Sequence, residues 1–178
     1  MRLIVLCLLF SSHIYAQQYF SKTGTVTFFS KAPIEDIQAV NHKLSAVIDL
    51  GSGEFAFQLK IQDFNFPNSL MQEHFNESYL ESHLFPVSNF VGFLEPIKEN
   101  KLIQKKTLEV KGKMYIHGIS KDLQLSANLQ YLNEELLLSS TFDIELADFE
   151  IDIPKLMMYK IAEVVKVSVE MKLQKSKE

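Results

Sequence analysis

The sequence predicts an all-β domain, an antiparallel barrel of about eight strands with short helical inserts at one mouth. Two observations carry this reading. Residues 106–146 alternate apolar and polar almost without interruption: Leu108, Val110, Met114 and Ile116 share one parity, and Glu109, Lys111, Lys113 and His117 share the other. The pattern restarts after Gly118 with Leu123, Leu125, Ala127, Leu129 and Tyr131, and after Asn133 with Leu136, Leu138, Phe142, Ile144 and Leu146. A period of two puts one face of each strand in an apolar interior and the other in water. The second observation is that only short turns separate these stretches, so they pair as an antiparallel meander. So much one-sided sheet must close on itself or pack on a second sheet. Closure makes an apolar binding cavity a better expectation than a catalytic cleft.

The elements follow in order. Gln18 to Ser30 reads as a strand in which Thr25, Thr27 and Phe29 oppose Val26 and Phe28. Ala32 to Ile37 has the Pro and acids of a helical turn. Asn41 to Leu50 and Glu54 to Ile61 form a hairpin around Gly51-Ser52-Gly53, with Leu44, Ala46 and Ile48 facing Phe55, Phe57 and Leu59. The alternation then stops. Ser69 to Tyr79 has helical spacing, Leu70 with His74 and Met71 with Phe75. Asn68 or Ser69 can cap it, and Ser69 with Gln72 fits a capping box. Phe85-Pro86 ends the excursion, Val87 to Glu95 returns to strand, and a polar turn at Lys98 to Lys101 leads into the meander. Pro154 to Ala162 reads as a short helix, and Glu163 to Leu173 as the last strand, with Val165, Val167, Val169 and Met171 facing in.

Length and composition set the limits. The 178 residues suit one well-buried domain, and 47% apolar with 22% charged residues is ordinary for a globular chain. Fourteen Phe and no Trp favour an interior without polar handles. Residues 1–16 read as a secretory signal: Arg2 supplies the basic start, Leu3 to Phe10 the apolar stretch, and Ala16 the small residue before cleavage. The barrel domain is then 17–178, in the periplasm or secreted, with no integral membrane span in the mature chain. The one cysteine, Cys7, lies inside the signal, which excludes disulfides and thiol chemistry from the mature protein. A net charge of −4 without a basic stripe makes nucleic acid a poor partner.

The chemistry-bearing residues do not assemble into a catalytic pattern. There is no Gly-x-Ser-x-Gly, and Gly51-Ser52-Gly53 sits in a hairpin tip. His74 and His83 are too far apart in sequence for a helical metal motif, so no metal site and no cofactor are expected. His74 reads as a helix residue hydrogen-bonding across the mouth, and His117 as a structural turn residue. The apolar inward residues remain. Phe29, Phe55, Phe57, Phe90, Leu125, Leu129 and Phe142 on strands, with Met71, Phe75 and Met157 on helices, are expected to line a ligand cavity. The small inward residues Ala46, Gly92, Gly112 and Ala127 would leave room among the Phe rings. A solidly filled barrel is the competing reading.

Two stretches carry a family likeness. One is Met71-Gln72-Glu73-His74-Phe75-Asn76-Glu77-Ser78-Tyr79-Leu80-Glu81-Ser82, running into Phe85-Pro86 and Phe90; the other is Tyr115-Ile116-His117-Gly118-Ile119-Ser120-Lys121. With the opening strand, the Gly51 hairpin and the closing Ile153 to Val169 segment, they resemble the YceI-like family. The resemblance implies a lipocalin-like barrel in an exported protein, and a polyisoprenoid or other long-chain lipid held without catalysis. Where the family commonly has Arg-Asp-x-His-Leu, Leu70 to Phe75 keeps only the histidine, so contacts made by those lost charges do not carry over. The alternative function is a secreted stress-response or protein-interaction module with a packed or vestigial cavity. A homodimer is left open.

Overall fold

Each strand hydrogen-bonds to its neighbours in sequence, and the last closes on the first. The structure, a computed structural model, describes residues 17–31, 36–153 and 162–176. The strands are β1 (Gln18–Ser30), β2 (Ile37–Asp49), β3 (Glu54–Lys60), β4 (Val87–Leu94), β5 (Lys106–Ile116), β6 (Ile119–Leu132), β7 (Glu135–Glu145) and β8 (Val164–Lys175). They form a closed antiparallel barrel in sequence order, with Tyr19 opposite Lys175 and Phe28 opposite Val167 at the β1–β8 seam. Closure leaves no row of unpaired backbone groups. β2 begins at Ile37, so the strand is longer at its start than the alternation indicated. Most of the expected turn at Ala32–Ile37, and the expected helix over 154–162 except for Ala162, lie outside the described residues.

Inside and outside follow the parity of the sequence. Val110, Met114, Leu129, Leu138, Ile144, Val165 and Met171 are buried, while Lys111, Lys113, Glu109, Gln124 and Lys172 are exposed. An apolar interior inside a polar exterior is the reverse of a barrel that faces lipid. Among the described residues no helix is long and apolar enough to cross a membrane.

The turns use residues that tolerate a left-handed backbone. His117 and Gly118 join β5 to β6 with φ of 50° and 78°, and Asn133 and Glu134 join β6 to β7 with φ of 52° and 65°. Positive φ at both central residues defines the hairpin turn that matches strand twist. Gly118 has a second reason to be glycine: a Cβ there would come within 2.6 Å of the Phe85 ring.

Gly92 and Gly112 face one another across β4 and β5. The expectation that they hold space open is corrected by the structure, and neither lines the cavity. A Cβ on Gly92 would meet the Lys111 carbonyl oxygen and the Gly112 Cα, and one on Gly112 would meet the Phe90 ring. The glycines let the two backbones approach closely and seat Phe90.

The long connection between β3 and β4 carries α1 (Ser69–His74), which continues into a π-helical turn over Phe75–Tyr79. Asn68 is the cap: its Oδ1 accepts from the N–H groups of Leu70 and Met71 at 2.9 and 3.3 Å. Gln72 does not complete a capping box with Ser69. Its Oε1 accepts from the Phe66 N–H at 3.2 Å and folds the preceding loop onto the helix.

Candidate functional site

The two ends of the barrel differ. At one end Tyr19, Leu50, Leu102, Leu136 and Leu173 are fully buried and form a solid plug. The β4–β5 connection crosses beneath them. Ile97 N–H donates to the Leu50 carbonyl at 2.9 Å, and Tyr131 N–H donates to the Leu102 carbonyl at 2.7 Å. Glu99 on this connection accepts from Tyr19 Oη at 2.6 Å and from Lys175 Nζ at 2.7 Å. Burial pushes the Glu99 carboxyl up, but the hydrogen bonds from Lys175 and Tyr19 outweigh it and hold it below its ordinary value. Burial, and next the Glu99 carboxylate, push the Tyr19 phenol up, so it stays a donor. The plug thus fastens β1, β8 and the β4–β5 connection together.

Above the plug lies a cavity of about 520 Å³. Ile48, Leu94, Leu129, Leu138, Val110, Met114, Ile144 and Val169 line it. At the other end it meets solvent beside α1, where Leu70 lines it while 56% exposed. Four phenylalanine rings pack at this mouth. Phe75 stacks on Phe28 with centroids 5.5 Å apart and an interplanar angle of 20°. It also meets Phe64 at 5.6 Å and Phe66 at 4.9 Å. These separations and tilts lie in the range of favourable aromatic pairs.

Eight of the ten residues expected at the site line this cavity: Phe55, Phe57, Phe90, Leu125, Leu129 and Phe142 from strands, and Met71 and Phe75 from the helical segment. Phe55 and Phe90 pack at 5.1 Å on the wall. Phe29 is a correction. The inward parity of β1 is Val26, Phe28 and Ser30, so Phe29 is on the outer face, opposite Gln38 and Lys166. Met157 lies outside the described residues. Phe28, Phe64 and Phe66 were not foreseen. Phe64 and Phe66 flank Asn65, whose backbone bridges to Val40, N–H to carbonyl in both directions, at 2.8 and 3.1 Å. The apolar–polar alternation of Asp63-Phe64-Asn65-Phe66 was the available signal.

The serines of the lining are committed to structure. Ser88 Oγ donates to the Tyr115 carbonyl at 2.9 Å, and Ser140 Oγ to the Ser126 carbonyl at 2.7 Å. Ser30 Oγ accepts from the Ala162 N–H at 2.9 Å. Among the described residues of the lining none is Lys, Arg, Asp or Glu, and each serine bonds backbone rather than a histidine. Such an arrangement can solvate an apolar chain, and none of the described lining serines is paired with a base. Burial pushes the phenol of Tyr79, also in the lining, up, so it stays neutral.

His74 lines the cavity but makes no hydrogen bond to a described residue. The histidine that ties the mouth is His117. Its Nδ1 is 3.1 Å from the Phe149 carbonyl and its Nε2 is 3.0 Å from Glu81 Oε2, and the Phe85 ring meets it edge-on at 4.7 Å. It joins the β5–β6 turn, the helical excursion and the turn that follows β7. Among the described residues no three His, Cys, Asp or Glu side chains converge as metal ligands would.

Comparison with known proteins places this architecture. The chain is similar to a polyisoprenoid-binding domain of Saccharophagus degradans implicated in plant cell wall breakdown, with a TM-score of 0.77 at 15% identity over 90% of this chain and 99% of that one. It is also similar to BcnA of Burkholderia cenocepacia, with a TM-score of 0.71 at 14% identity over 84% and 95% of the two chains. For the Campylobacter jejuni YceI protein the TM-score is 0.63, at 19% identity over 82% of this chain and 88% of the other. At these identities the likeness is one of fold. No curated protein matches the sequence. The family model described as the YceI-like domain matches residues 14–173, and the chain therefore belongs to the YceI-like family.

Proposed function

We propose that the protein is a non-catalytic carrier of a long apolar lipid of the isoprenoid kind, working in the periplasm after removal of residues 1–16. The observation that carries this is the 520 Å³ apolar cavity, plugged at one end and reaching solvent at the other. A barrel packed solid would have no such space. Its walls are Phe, Leu, Val, Ile and Met, which bind by dispersion and by removal of apolar surface from water, about 25 cal/mol per Å² before ordering costs. The polyisoprenoid-binding description of the Saccharophagus degradans domain supports the choice of ligand class. The signal-like start, Arg2 followed by Leu3 to Phe10 and Ala16, supports the export step. The lack of charge among the described lining residues and the commitment of the serines support binding without turnover.

Native mass spectrometry of protein purified from a bacterial periplasm tests this. The expected species begins at Gln17 and carries one apolar lipid that organic extraction removes. Protein that is always lipid-free, and that takes up no prenol after extraction, would overturn the reading.

A further inference from the structure

The His117 junction sets two oxygen acceptors against one imidazole. We propose that it is a proton-held latch on the cavity mouth: shut while the junction keeps its proton, and loosened as pH rises through the range in which histidines ordinarily titrate. The carrier reading above gives the latch its purpose, but the latch itself works with or without a ligand.

The proton count follows from the partners. Nδ1 lies 3.1 Å from the Phe149 carbonyl oxygen, which can only accept, so Nδ1 carries a hydrogen. Nε2 lies 3.0 Å from Glu81 Oε2. Either an imidazolium donates to the carboxylate, or a carboxylic acid donates to a neutral ring. Both forms hold one proton more than a neutral histidine beside a free carboxylate. When that proton passes to water, one ring nitrogen turns a lone pair toward an oxygen and its contact is lost. The shut state binds the extra proton, so it is favoured below the titration and loses that advantage above it. The His117 side chain is only 12% exposed, and the Phe85 ring meets it edge-on at 4.7 Å. Among the described residues Glu81 is the one carboxylate paired with it. Lys121 on β6 is turned to Asp148 at 3.3 Å. The other titratable groups within two residues of the three partners are Tyr79, His83, Tyr115 and Glu150.

The backbone is set against this junction as well. Glu81, His117 and Glu150, the residue after Phe149, have φ of 42°, 50° and 53°. A left-handed residue other than glycine costs energy that the surrounding contacts must offset. Three such residues meet at one imidazole, so losing a contact there lets them relax. Glu81 is also where the helical excursion reverses. Its carbonyl accepts from the Leu84 and Phe85 N–H groups at 2.8 and 2.9 Å. Just before it, Phe75, Tyr79 and Leu80 line the cavity. Movement of Glu81 therefore reaches the mouth.

Hydrogen exchange read by mass spectrometry tests the latch, on the full mature protein and with the intrinsic pH dependence of amide exchange divided out. Protection of residues 75–86 should fall about tenfold relative to β6 and β7 as pH rises through the histidine range, the loss of one charge-assisted bond to a partly solvated carboxylate. Glu81→Gln should abolish this step, because an amide accepts from or donates to a ring nitrogen as either form requires. His117→Asn, which tolerates the left-handed backbone, should also abolish it and serves if the first variant does not fold. Farnesol loaded on the wild type should leave faster above the step than below it. No step in the wild type, the same step in both variants, or farnesol leaving equally fast on both sides of it would overturn the latch. Farnesol that never binds would overturn the carrier reading alone, because the exchange step needs no lipid.

Discussion

Replacing Phe75 by Ala tests the mouth most directly. The ring touches three others, stacking on Phe28 and meeting Phe64 and Phe66 at 5.6 and 4.9 Å. Each such pair contributes about 0.5–1.5 kcal/mol beyond area burial. A Phe→Ala change in a core costs about 3–5 kcal/mol, and Phe75 is half-buried beside a space already open, which favours the lower end. The expected loss is about 3 kcal/mol, or roughly 6–12 °C in Tm for a domain of this size. Thermal unfolding of lipid-free protein, followed by circular dichroism, measures it. Phe75→Leu keeps an apolar group but not the ring geometry, and should cost about 1 kcal/mol. The alanine variant should also release bound prenol faster, since the ring seats the π-helical turn over the cavity. A Tm drop below about 2 °C for Phe75→Ala would show that the four rings do not act as a cluster.

Two further predictions concern the plug and the turn. Because Glu99 titrates below its ordinary value when folded, its contribution is present above the usual carboxylate range and is lost as pH falls through the folded pKa. Glu99→Gln should cost about 1 kcal/mol at neutral pH, the low end for hydrogen bonds to a partly solvated charge. Urea midpoints of the two proteins should converge on acidification; a gap that stays constant to low pH would refute the role of the carboxylate. Gly118→Ala combines a left-handed backbone with a contact against Phe85. It should lower stability by about 2 kcal/mol at unchanged m-value, and an unchanged urea midpoint would refute the assigned turn geometry.

Much of the barrel was legible because period-two alternation reports directly which face of a strand meets water. β5, β6 and β7 lie almost where the pattern puts them. The site was less legible wherever a neighbour decided the outcome. In β1, Phe28 and Phe29 are adjacent and of opposite parity, and the register slips between Ser21 and Gly24 and again before Val26, so pattern alone did not choose between the two rings. Gly112 reads as a gap until the Phe90 ring is seen filling it. Phe64 and Phe66 alternate over too few residues to announce a strand. The His117 clasp needs Glu81 and Phe149, distant in sequence, to be brought beside the turn by the fold itself.

The seam between β1 and β8 has a consequence in time. Tyr19 pairs with Lys175, so the first strand waits for the last. Every other neighbour pair follows in sequence and can form as the chain emerges, but the ring stays open until residues 164–175 arrive. Until then β1 and β7 each present a bare edge to other chains. Such long-range closure is slow on the scale of local turns. The hazardous interval in the life of this protein is the one before the final strand docks, and any factor that shields nascent strands would act there.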